Sequence, residues 1–222
     1  MTEIIGNSFD LPQDIKEFIQ ITLIQRQSAE TLVPLIQHIY ADLNQCQVFN
    51  DLVDTACHFT PSEEKPVFHQ SLAETDQYRL SLIGIHRFFP IPVHDHPHAM
   101  GVQFVVHGRL QVRSYQLLEA VREPSLVRLE CLSENILGAG STSTIEKVTC
   151  NLHDLQSMNI TAVCLALQAP PCIEHKQAWY FPTHPLADHT QVIPWNRVIK
   201  SPIKFDAHQN QQPQAELEGV GS

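Results

Sequence analysis

Apolar positions along the chain follow two rhythms, and the change falls near residue 62. In "LPQDIKEFIQITLIQ", residues 11–25, Ile15, Phe18, Ile19 and Leu23 recur at the three- and four-residue steps of a helix with one buried face. Asp10 stands at the N-cap position and Pro12 in the first turn. "SAETLVPLIQHIYADL", 28–43, predicts a second helix, with Ser28 as N-cap and Glu30 near the positive end of the helix dipole. Pro34 is expected to limit or kink it. "QVFNDLVDTAC", 47–57, predicts a third helix.

Beyond residue 62 short apolar or alternating runs are separated by clusters of Gly, Pro, Asn, Ser and Glu. They predict strands over 66–72, 78–88, 102–107, 109–116, 126–132, 144–150, 152–157, 161–168 and 177–182, with "ENILGAGSTST", 134–144, as a loop. Many short strands at this spacing make a sandwich or barrel. The expected division is a helical N-terminal segment over 1–61, a barrel over 62–203 and a polar tail over 204–222. The tail lacks the apolar content of a packed core and is expected to be disordered.

Composition narrows the function classes. The 14 basic and 24 acidic residues leave a formal charge of −10, which argues against nucleic acid or an anionic membrane as partner. Six cysteines, at 46, 57, 131, 150, 164 and 172, form no CxxC pair, and some lie in apolar runs such as "AVCLAL". They read as buried free thiols in a reducing compartment. "MTEIIGNSFD" has neither the basic nor the apolar region of a signal peptide, and no apolar run is long enough to span a bilayer. A cytoplasmic location is expected.

The chemistry concentrates at "IPVHDHPHAM". In a strand, residues two apart share a face, so His94 and His96 project together and Asp95 points away. Pro92 and Pro97 bracket the pair, and the apolar run "VQFVV" follows. A solvent-facing histidine pair on an edge strand is the ordinary alternative. The apolar neighbour weighs against it, as does His153 in the strand-like "KVTCNLHDLQS". Three imidazoles on one face suit a first-row divalent ion.

This order of residues, HxH, an apolar strand, Gly108 and a later His, resembles the cupin arrangement, a double-stranded β-helix barrel with a metal near its mouth. The usual first cupin motif also carries a Glu ligand; the matching position here is Gly101. A three-His cupin without that Glu resembles the thiol dioxygenases. "IPVHDHP", "HGRLQVRSY", "NLHDL" and "LQAPP" are most similar to the cysteamine dioxygenase and plant cysteine oxidase group, over roughly residues 66–182. The resemblance implies a mainly β cupin barrel with a helical N-terminal segment. It also implies Fe(II) held by His94, His96 and His153, and conversion of a small, cysteine-like thiol and O₂ to a sulfinate. Three histidines accept nickel, zinc or copper as well. Two other readings stay open: a metal-binding cupin acting as a non-catalytic binding or sensor protein, and a cupin oxygenase or isomerase for a non-thiol substrate.

The chain departs from the family at several points. Gly101 also falls where animal-type cysteine dioxygenase has the Cys of its Cys-Tyr crosslink, so that crosslink cannot form. The strand before the Pro-Pro pair carries an inward Ser, His and Tyr in cysteine dioxygenase, and its middle position tends to be Asp in the cysteamine dioxygenase group. Cys164, Ala166 and Gln168 correspond to these three. Ala166 offers no polar side-chain atom, whereas Gln168 both donates and accepts. The Arg that grips a substrate carboxylate in cysteine and mercaptopropionate dioxygenases corresponds to a place near Gln70, and no Arg occurs between residues 60 and 78. That argues against free cysteine or mercaptopropionate as substrate. Gln103, on the strand face of Gly101, is expected to meet the cavity or to make a structural polar contact; Tyr180, in "AWYFP", is expected to close the cavity or to pack in the core. Arg79 and Arg87 read as exposed strand charges, and His98 and His107 as loop and turn residues outside the ligand set.

Overall fold

The structure, a computed structural model, describes residues 11–24, 28–120, 126–146, 151–171, 177–183 and 194–198. Helix α1 spans Gln13–Ile24, a 3-10 turn Ala29–Leu32, α2 Val33–Leu43 and α3 Gln47–His58. The strands are β1 Val67–Glu74, β2 Arg79–His86, β3 Ile91–Asp95, β4 Met100–His107, β5 Arg109–Ala120, β6 Leu126–Gly138, β7 Thr142–Ile145, β8 Leu152–Ser157, β9 Thr161–Ala169, β10 Trp179–Pro182 and β11 Pro194–Val198. No helix among the described residues is long and apolar enough to cross a membrane.

One sheet has the order β1-β2-β9-β4-β7; the other six strands close into a ring, β10-β11-β6-β5-β8-β3. The five-stranded sheet is buried on both faces. Leu80, Leu82, Phe104, Leu165 and Leu167 pack outward under Leu32, Ile36, Ile39 and Phe49 of the helical segment. Val67, Ile85, Val105 and Cys164 pack inward against Ile91, Val112, Leu155 and Trp179 of the ring. Burial on two faces explains why β9 reads "TAVCLALQA", with hardly a polar interruption. A third cluster, with Val93, Tyr115, Leu129, Leu152, Tyr180 and Trp195, fills the ring itself. Strands β3 and β8 therefore serve two interiors, and a bulge between Ile91 and His94 puts those two residues on the same side.

Several expectations are adjusted. Pro34 falls in the first turn of α2, where a missing N–H is harmless, and divides the segment into a 3-10 turn and an α-helix. Ser28 makes no side-chain cap; the Ala29 N–H donates instead to Glu146 Oε1 at 3.0 Å, tying the helices to the end of β7. Phe18 is exposed, its ring 4.8 Å from that of His38. "ENILGAGSTST" is mostly strand: Glu134–Gly138 continue β6 opposite β5, and Thr142 opens β7. Strands β3 and β11 add to the predicted set. Asp10, residues 147–150, Cys150, Cys172 and the 204–222 tail lie outside the described residues.

Candidate metal centre and its cavity

His94 and His153 face each other directly across the antiparallel β3–β8 pair. His96 follows the end of β3, its backbone N–H donating to Asn151 O at 3.1 Å. The three side chains converge: His153 Nε2 lies 3.1 Å from His94 Nε2 and 3.1 Å from His96 Nε2, and one ligand atom from each ring falls within 4.8 Å of the others. All three are buried. Burial holds the His94 imidazole down at about 4 and those of His96 and His153 well below the ordinary value, so all are neutral near pH 7. Neutral nitrogens this close repel unless a cation or proton lies among them. Two imidazole nitrogens bound about 2.1 Å from one ion at right angles stand about 3 Å apart, the separation seen here. The residues fit a divalent metal.

The backs of the rings are held. His94 Nδ1–H donates to Pro92 O at 2.8 Å, which leaves Nε2 for the centre. On its other side Trp179, its partner on β10, stacks at 4.8 Å and 24°. His96 Nδ1 lies 3.1 Å from the Gln168 amide. The amide atom placed there is Nε2; with His96 Nε2 on a metal, Nδ1 would carry the hydrogen, and the amide turned over would present its oxygen to accept it. Gly101 stands opposite Gln168 across β4–β9; a Cβ there would come within 3.1 Å of Leu167 O and 3.7 Å of Gln168 Cγ. A bare backbone at the position of the usual Glu thus leaves Gln168 its place beside His96.

The other faces of the ligand-bearing strands are fastened by acids. Asp95 accepts the Ala178 N–H at 2.7 Å and the Tyr180 hydroxyl at 3.2 Å, and its carbonyl accepts the Gln177 amide at 3.0 Å. Asp154, next to His153, accepts Arg113 Nε and the Tyr115 hydroxyl, each at 2.9 Å.

A cavity of about 70 Å³ opens beside the cluster. Its five-stranded wall is layered by register. Arg79 and Gln168 pair in one row, Ser81, Ala166 and Gln103 in the next, and Ile83 and Cys164 below them. Gln103 and Gln168 line the cavity. Gln70 does not. It shares the strand face of Phe68, which packs with the helical segment, and its amide donates to Ser71 O at 3.1 Å; His69 lines the cavity instead. Tyr180 takes the second of its two expected places: it joins the ring core, and Trp179 reaches the cavity. Arg79 is not a solvent-facing strand charge but a cavity residue, paired with Glu74 at 2.6 Å. Arg87 is exposed over the Phe88 ring. Cys164 packs in the apolar interior, where burial pushes its thiol up to about 12. His98 and His107 stand outside the cluster. Sequence reasoning missed His69, Ser81, Gln177 and Trp179 as cavity residues. For β2 the signal was available: in "RLSLIGIH", Leu80 and Leu82 face the helices, so Arg79, Ser81 and Ile83 must face in.

The PCO_ADO family model, that of the plant cysteine oxidases and cysteamine dioxygenases, matches residues 37–215. No curated protein matches the chain. Similar solved structures include an uncharacterized conserved protein with a double-stranded β-helix domain from Klebsiella pneumoniae subsp. pneumoniae MGH 78578, at 16% identity, covering 51% of this chain and 84% of that one with a TM-score of 0.39. A cupin superfamily protein from Desulfitobacterium hafniense DCB-2 is similar at 10% identity, over 51% of this chain and 85% of that one, with a TM-score of 0.36.

Proposed function

Because the chain belongs to the plant cysteine oxidase and cysteamine dioxygenase family, we propose that it is a non-haem iron(II) thiol dioxygenase that joins both atoms of O₂ to the sulfur of a small, cysteine-like thiol. The observation that carries this reading is the set of three buried, neutral imidazoles, of which His94 and His96 line a small cavity, with no acid in the cluster among the described residues. His94, His96 and His153 would hold the ion, and iron(II) bound there would supply adjacent sites for thiolate and O₂ and the electron transfer between them. Neutral ligands leave the ion's positive charge uncompensated, which favours loss of the thiol proton on binding. The reaction balances without an added reductant: a thiol and O₂ together have the composition of the sulfinic acid.

The surroundings suit a small substrate. Ile83, Ile91 and Leu155 give the cavity an apolar part that shelters a short carbon chain from water. Arg79, engaged by Glu74, favours a thiol that brings no carboxylate to that edge. The acidic balance of the chain weighs against nucleic acid or an anionic membrane as partner, and six cysteines without a CxxC pair support a reducing, cytoplasmic location. A second reading, a binding cupin that holds a metal without turnover, draws on Ala166, an apolar residue facing the cavity from the middle of β9. Isotopically labelled O₂ separates the two. The dioxygenase reading predicts a sulfinate carrying two labelled oxygens; thiol recovered unchanged from protein shown to hold iron favours the binder.

A further inference from the structure

The middle row of the cavity wall is polar on both flanks and apolar between. Ser81 on β2 and Gln103 on β4 are both register partners of Ala166 on β9, so the three stand side by side on adjacent strands, and all three line the cavity. Ser81 and Gln103 are only 3% and 5% exposed, yet Ser81 Oγ and Gln103 Oε1 make no hydrogen bond within the described residues. Buried polar atoms are ordinarily satisfied, and two unmet ones on one wall, beside three converging histidines, mark a place where a bound molecule supplies the partner.

The chemistry of that partner follows from the two atoms. An amide oxygen only accepts, and a serine hydroxyl accepts as readily as it donates, so one donor satisfies both. The two backbones stand two strand spacings apart, about 10 Å. The methyl of Ala166 fills little of the gap; an ammonium group above it has hydrogens for both oxygens, and a hydroxyl there donates to Gln103 Oε1 while accepting from the Ser81 hydroxyl.

We propose that Ser81 and Gln103 determine specificity by binding, above Ala166, a hydrogen-bond donor that the thiol carries close to its sulfur. This rests on the thiol reading above. The test uses cobalt(II)-loaded protein under nitrogen, titrated with cysteamine and with 1-propanethiol, which differ in ending in an amine or a methyl. The sulfur-to-cobalt absorption gives each Kd. Gln103→Met and Ser81→Ala are each expected to weaken cysteamine about tenfold and to leave 1-propanethiol within about twofold. Cobalt affinity should stay unchanged, and the thermal midpoint of Gln103→Met should hold or rise, because a buried acceptor without a partner is removed. If Gln103→Met does not fold, Ser81→Ala, which deletes one atom, decides alone. Equal weakening of both thiols, or none for cysteamine, overturns the proposal and leaves the thiol reading standing. Wild-type protein that holds cobalt and binds neither thiol overturns both.

Discussion

At His96 one amide decides which ring nitrogen faces the centre. Gln168 sits 3.1 Å from Nδ1, and its amide, turned to present the oxygen, would fix that nitrogen as the donor and free Nε2 to ligate. Gln168→Leu should weaken divalent-metal affinity roughly 10- to 100-fold, read by cobalt titration, with little change in melting temperature. His94→Ala, His96→Ala and His153→Ala should each abolish stoichiometric metal by elemental analysis while the circular dichroism of the barrel persists; retained metal removes that residue from the ligand set. Acid acts through the same side chains. Folding holds His94 at about 4, below the 6.5 of an exposed imidazole. The unfolded chain therefore takes up the proton first, and stability present above pH 6.5 is lost as pH falls toward 4. Urea unfolding of the metal-free protein should show a loss of about 2 kcal/mol from this residue between pH 7 and 5. His94 and His96 were legible because two-residue spacing is a statement about one strand, and His153 through its strand-like setting and the family resemblance. Gln70 was not, because its place came from alignment across a hairpin, and one position of error turns a strand residue to the other face.

At the scale of elements, the turn between β4 and β5 depends on Gly108. Its φ is +77°, and a Cβ there would lie 2.7 Å from Thr161 O, a backbone atom of the neighbouring strand. Gly108→Ala should cost about 2 kcal/mol or more, a fall of roughly 5 °C in thermal midpoint. Cys164, inward on β9 with its thiol held near 12, should resist alkylation at pH 8 in the native protein and react once unfolded. Apolar content made β9 and the helices easy to foresee. The second half of β6 gave no such signal: Glu134 and Asn135 are exposed, and what holds them extended is pairing with β5 through Arg109–Gly138. Backbone pairing leaves little mark on side-chain pattern. The same applies to the closure of the ring through β10 and β11, two short strands far along the chain.

For the whole molecule, the helical segment and the ring divide the work. The helices cover the outer face of the five-stranded sheet; the ring presents His94 and His153 to the inner side while filling itself with a separate core. The site is thus held between two packed bodies and borders a small cavity. Turnover of a thiol by this architecture is read from the oxygen consumption of anaerobically iron-loaded protein. Cysteine, mercaptopropionate, cysteamine and an N-terminal-cysteine peptide are offered in turn, with His153→Ala as the blank. Uptake with a thiol, absent in the blank and matched by sulfinate, is the predicted result. No uptake with any of the four, from protein shown to hold its iron, contradicts it.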